Sequence, residues 1–101
     1  PGLQALLGHR RDASLRHAHL LSSWRHFGFL PEQWDAATST VHPRERGYPL
    51  RPELLESTAL LFEETADKEM LKAGRLMHVA LRGTRSRCGF SHVIDVKTGA
   101  L

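Results

Sequence analysis

Apolar residues recur at helical spacing in three stretches of this chain. Leu20, Trp24 and Phe27, with Leu21 beside them, form one apolar stripe. They predict a helix from Ala13 to Phe27, with Asp12 as its N-cap and Gly28 as its stop. A second helix is expected from Pro52, whose missing N–H costs nothing in a first turn, to about Ala66. It carries Leu54, Leu55, Leu61 and Phe62, apolar over more than one face, the pattern of a helix buried between others. Asp67 caps a third helix with Met70, Gly74, Met77 and Leu81 at near-heptad intervals, and Gly83 ends it. The short Thr65–Lys68 connection makes the last two an antiparallel helical hairpin.

After Cys88 the period changes. Val93, Ile94 and Val96 predict a short strand or hairpin arm within Phe90–Val96, and Lys97-Thr98-Gly99 reads as a turn. No returning partner follows before Leu101, and a strand without a mate suits a piece of a larger domain. Between the first two helices, Pro31–Arg51 is a stretch of about twenty residues without periodicity, and loops that long are usually functional or disordered. Trp34 and Tyr48 within it argue for order.

Composition changes this picture little. With 101 residues, 41% hydrophobic and 25% charged, the chain is globular in make-up and long enough for one small domain. The net charge of +3 is mild, its arginines have few aromatics among them, and no nucleic-acid signature is present, so nucleic acid is not an expected partner. No apolar run reaches the ~20 residues of a membrane span. The seven histidines lack metal-ligand spacing, His17 and His19 face different sides of their helix, and no metal ligand is expected within the chain. Met70 and Met77 read as core fillers. Cys88 is the one cysteine, and reads either as a small buried residue or as half of a disulfide to a segment outside this one.

Chemistry concentrates in Tyr48-Pro49-Leu50-Arg51-Pro52-Glu53-Leu54-Leu55-Glu56-Ser57. The two prolines stiffen the approach to a helix and place Glu53 in its first turn, with Glu56 three residues on along the same face. Exposed N–H groups and the helix dipole there favour an ionised carboxylate, the state a general base occupies before it takes a proton from water. Arg51, just outside the helix, can orient either carboxylate, Glu53 or Glu56, or grip hydroxyls with its planar fork of donors. Spacing alone gives an equally ordinary reading: Pro followed by Glu is a common helix start. Likewise, Phe29-Leu30-Pro31-Glu32 alone would be a loop after a helix.

The run YPLRPELLES, followed by the hairpin and by RCGF and DVKTG, resembles glycoside hydrolase family 47, the class I α-mannosidases. PGLQALLG and FLPE fall upstream in the family's order, and RCGF with DVKTG points to the endoplasmic-reticulum degradation-enhancing α-mannosidase-like branch. The resemblance spans Pro1 to Gly99. It implies an all-α fold, a barrel of seven helical hairpins written (α/α)7. Residues 1–101 would be one part of that catalytic domain, incomplete at both ends, with a short β-hairpin arm near the C-terminus. It further implies inverting hydrolysis of α-1,2-linked mannose with Ca2+, whose direct ligand would lie outside this segment.

On the same resemblance Glu53 is the catalytic base, while Arg51, Glu56 and Glu32 contact sugar or order water. The acid, a further Asp and the calcium-holding threonine match no position here, so the isolated segment is expected to be inactive. High-mannose N-linked glycoproteins in the endoplasmic reticulum lumen are the implied partners. A lumenal setting favours a disulfide at Cys88, with a thiol oxidoreductase as a further candidate partner. The loop Thr38–Gly47 departs from the branch's usual run, and Ala59 stands where relatives often have an aromatic. Two rival readings are a lectin-like relative that binds mannose-rich glycans without cleaving them, and a helical interaction module in which RPELLES is only a helix start.

Overall fold

The computed structural model describes all 101 residues, about half of them helical. The elements are α1 (Gly2–Leu6), α2 (Arg10–Phe27), β1 (Trp34–Asp35), β2 (Thr40–Val41), α3 (Glu53–Thr65), α4 (Lys68–Arg82), β3 (Arg85–Ser86) and β4 (Gly89–Phe90). The three expected helices are present. However, α2 starts earlier than its apolar stripe suggested: His9 is the N-cap, and Asp12 lies in the first turn instead of capping it. Its far end is as expected, with Gly28 left-handed at φ 85° and its N–H on the Trp24 carbonyl. Asp67 caps α4 by accepting from the Glu69 amide at 2.9 Å. The short α1 was not legible, because five residues offer too little periodicity.

Helix α3 packs against α1, α2 and α4, which explains its apolar residues on several faces. Leu54 and Leu61 are buried, and Leu55 and Phe62 half-buried. The main core joins Leu21 and Trp24 of α2 to Leu54, to Ala73 and Met77 of α4, to Val41 of β2, and to Tyr48, Val93 and Val96 from the loops. Ala5, Ala13 and Leu61 form a second, smaller core where α1 meets α2 and α3, with Met70 against it. Gly2 makes that approach possible: a Cβ there would stand 3.0 Å from the Ser57 Cα and closer still to Leu60. Its amide donates to the Ser57 hydroxyl at 3.1 Å.

Two expectations about the loops need correcting. The Pro31–Arg51 stretch contains a hairpin, with Trp34 opposite Val41 and Asp35 opposite Thr40. Nor does Phe90–Val96 form the expected strand: Phe90 ends β4, and beyond it the backbone makes only isolated bridges. The regular hairpin falls earlier, at β3–β4, while Val93 bridges to Tyr48 and Asp95 to Ala100. Long-range pairing across 45 residues of chain leaves no local signature, whereas the Lys97–Gly99 turn, held by the Asp95 carboxylate and carbonyl, is local and was legible. Cys88 sits exposed and unpaired at the β3–β4 tip, which removes the reading of a small buried residue.

His17 is buried between α2 and α3. Thr58 gives its hydroxyl proton to the Leu54 carbonyl at 2.7 Å, so its oxygen accepts from Nε2–H of His17, also at 2.7 Å. Burial above all holds the His17 pKa below its ordinary 6.5. The native state therefore resists protonation where the unfolded chain accepts it. Stability from His17 is complete above 6.5 and is lost as pH falls from there through the lowered native value. The melting temperature of the full-length protein is expected to fall between about pH 7 and pH 5, and His17→Gln is expected to flatten that slope. An unchanged slope in the variant would place the acid sensitivity elsewhere.

Candidate functional site

The helix start at Pro52 and the extended segment after α2 converge on one cavity of about 290 Å³, near the lower end of the ~300–1,000 Å³ usual for ligand sites. Its wall includes Glu32, Trp34, Tyr48, Arg51, Glu53 and Leu54. Three of the four residues expected to contact substrate or water are thus brought together across 21 positions of sequence. Glu56 is the exception: it lies exposed one turn along α3 and does not line this cavity.

Arg51 grips Glu32 with two parallel bonds, Nε to Oε1 at 2.5 Å and Nη2 to Oε2 at 2.8 Å. The sequence reading offered Arg51 the two carboxylates that follow it, Glu53 and Glu56; it takes neither and pairs with Glu32 instead. That bond holds the Glu32 pKa below the usual carboxylate range; burial opposes it, and the guanidinium charge adds the smallest push downward. The same bond raises Arg51. Two of the five guanidinium N–H groups are used, so three remain for other oxygens. Glu53, the first residue of α3, has no ion-pair partner. Its exposed carboxylate is open to water at the cavity wall.

Backbone pairing explains why Glu32 lies here. Its amide donates to the Gly47 carbonyl at 3.0 Å, so it is tied to the residue before Tyr48. Tyr48 is 2% exposed, with its ring stacked on Phe29 at 5.2 Å and edge-on to Trp24 at 5.3 Å. Its hydroxyl donates to the Arg51 carbonyl at 2.7 Å. Burial first, then the Glu53 charge, push the Tyr48 pKa up to about 12, so the hydroxyl remains a donor across the physiological range. Between them Leu50 is left-handed at φ 58°, a conformation costing a side-chain-bearing residue roughly 1–2 kcal/mol.

Sequence reasoning missed Tyr48, Trp34 and Ser57 as wall residues. Tyr48 opens the motif run, and Trp34 stands two positions after Glu32, on the same side of an extended chain, so both had a faint signal. Ser57, at i+4 from Glu53, had a helical one. No group of three His, Cys, Asp or Glu residues is placed to hold a metal ion.

The sequence model of glycosyl hydrolase family 47 matches residues 3–100. Alpha-mannosidase I MNS4 of Arabidopsis thaliana is 42% identical over 98 residues, covering 96% of this chain and 16% of that protein. Human ER degradation-enhancing alpha-mannosidase-like protein 2 is 34% identical over 96% of this chain and 17% of its own length. The like-named protein 1 of Saccharomyces cerevisiae is 35% identical over 99% of this chain and 15% of its own. The chain thus spans about a sixth of the length of these curated relatives. No solved structure matches it.

Proposed function

The chain belongs to glycosyl hydrolase family 47, and from that premise we propose that it supplies one wall of the active site of a longer α-1,2-mannosidase trimming N-linked high-mannose glycans. The observation that carries this reading is the single cavity shared by Glu32, Arg51 and Glu53. Relatives named as α-mannosidases and as ER degradation-enhancing proteins support mannose as the sugar. They equally support the endoplasmic reticulum lumen as the place, and clearance of misfolded glycoproteins as the setting.

The chemistry proposed is that of an inverting glycosidase. In an inverting reaction Glu53 takes a proton from water as the water oxygen bonds to the anomeric carbon and the glycosidic C–O bond breaks. An acid across a gap of about 6.5–9.5 Å protonates the leaving oxygen. Glu32 is committed to Arg51 and is no candidate for that acid, so the acid would come from outside these 101 residues. The remaining Arg51 donors and the free lone pairs of Glu32 suit vicinal sugar hydroxyls. Glu56, outside the cavity wall, would order water only in the completed active site. Calcium belongs to the proposal, but the residues here form no cage for it and no step above passes through it. The helices would form part of an (α/α)7 barrel.

A second reading, a mannose-binding lectin without hydrolysis, is favoured by one observation: the cavity holds a single carboxylate free of a cation partner. Incubating the full-length protein with an α-1,2-mannose-rich N-glycan separates the readings. Release of mannose supports the enzyme and retention without release the lectin, while neither would leave only a helical interaction module. Cys88 at its exposed hairpin tip is proposed to pair with a cysteine outside this segment or with a thiol oxidoreductase. Unreduced mass mapping of the same preparation that finds a free thiol there removes that part.

A further inference from the structure

The residues that face the proposed substrate are presented by an unusually constrained turn. Pro49 and Pro52 bracket Leu50 and Arg51, and Leu50 is held left-handed at φ 58° although it is not glycine. Such a conformation persists only where its surroundings impose it. One side chain reaches across this turn: the Tyr48 hydroxyl, bonded to the Arg51 carbonyl at 2.7 Å. Tyr48 is itself fixed at the far end, since its amide donates to the Val93 carbonyl at 2.8 Å and its carbonyl accepts from the Val93 amide at 2.9 Å. Phe29 and Trp24 hold the ring.

We propose that Tyr48 is a positioning residue, whose hydroxyl clips the Pro49–Pro52 turn closed so that Arg51 meets Glu32 and Glu53 starts its helix at the cavity wall. The inference rests on the mannosidase reading of this site for its catalytic consequence, and on geometry alone for its structural one. Glu32 depends on the same strap, because its amide bonds the carbonyl of Gly47, the residue before Tyr48. Without the hydroxyl, Leu50 loses the contact that opposes its relaxation to negative φ. The Arg51 carbonyl and guanidinium then move together, since they belong to one residue two positions from Glu53. The ring does not need the hydroxyl for its own packing, so Tyr48→Phe removes the clip and keeps the core.

The test uses the full-length protein and the α-1,2-mannose-rich glycan. Tyr48→Phe is expected to lower kcat about tenfold and to raise KM a few-fold, as displacement of a reacting group together with the sugar-gripping Arg51 does. Adding Leu50→Gly, which occupies φ > 0 freely, is expected to return part of that loss. Phe29→Leu, which disturbs the same ring stack but keeps the hydroxyl, serves as the packing control. Amide exchange read by mass spectrometry supplies the second arm: peptides covering 49–56 are expected to exchange faster in Tyr48→Phe, while those in α4 do not.

A kcat within twofold of wild type, or a loss that Phe29→Leu reproduces at equal melting temperature, overturns the clip. So does unchanged exchange over 49–56, which decides the matter even if the wild-type protein releases no mannose. That last result, or release unaffected by Glu53→Gln, would instead count against the mannosidase reading.

Discussion

Glu53→Gln in the full-length protein is expected to cut mannose release by roughly 10²–10⁴-fold, the contribution of a positioned general base. The glutamine keeps the size and the hydrogen-bonding reach of the carboxylate but accepts no proton at neutral pH. Glu53 is exposed at the first position of α3 and has no ion-pair partner, so the substitution opens no cavity and strands no buried charge. Surface changes of that kind usually stay within about 0.5 kcal/mol, and the variant should fold and retain glycan as the parent does. Unaltered glycan retention with lost release separates a missing base from a missing binding wall. Release within a few-fold of wild type would sink the assignment.

The same exchange in Arg51 would read differently. Arg51 has two of its N–H groups committed to Glu32. Its loss frees Glu32 and removes sugar donors at once, so binding should weaken along with rate. The pairing itself was not legible in the sequence. RPE at a helix start announces Arg51 and Glu53 as neighbours, because three residues of one turn stay together in any fold. Glu32 lies 19 residues before Arg51, and what joins them is pairing of irregular backbone: Glu32 with Gly47, Tyr48 with Val93. Such contacts have no periodicity. The helices were legible for the opposite reason, since Leu20, Trp24 and Phe27, or Leu54 and Leu61, repeat their apolar spacing over several turns. Where the expectation failed inside a helix it failed at an end: Asp12 has the chemistry of a cap, but α2 extends past it to His9. A propensity for caps yields there to continued backbone hydrogen bonding, with the Ala13 amide donating to the His9 carbonyl at 3.0 Å.

The 101-residue chain expressed alone is expected to keep helical circular dichroism but to show no sharp calorimetric transition and no hydrolysis. Its extents are 38 × 34 × 18 Å, and 18 Å is less than two helix diameters of ~10–12 Å, so most of its helices have only one packed side. The radius of gyration, 13.9 Å, exceeds the ~13 Å of a compact chain this long. Only 18 of 101 residues are buried, while Leu3, Leu6, Leu7, Leu15, Leu71 and Val79 are more than half exposed. Each such side chain forgoes roughly 1.5–3 kcal/mol that full burial would give, against a total domain stability of about 5–15 kcal/mol. Val93 and Asp95 lie outside any strand and are tied by single bridges to Tyr48 and Ala100, so the aggregation risk lies on these helical faces. In a barrel of paired helices, neighbouring hairpins would cover Leu71 and Val79 on α4 and Leu3 and Leu7 beside α1. Asp67, the left-handed Gly28 and the tight α3–α4 link are local, so they sustain helix content without those neighbours. A monomeric chain with one sharp two-state transition would show that these faces need no cover, and the proposed barrel neighbours would lose their physical motive.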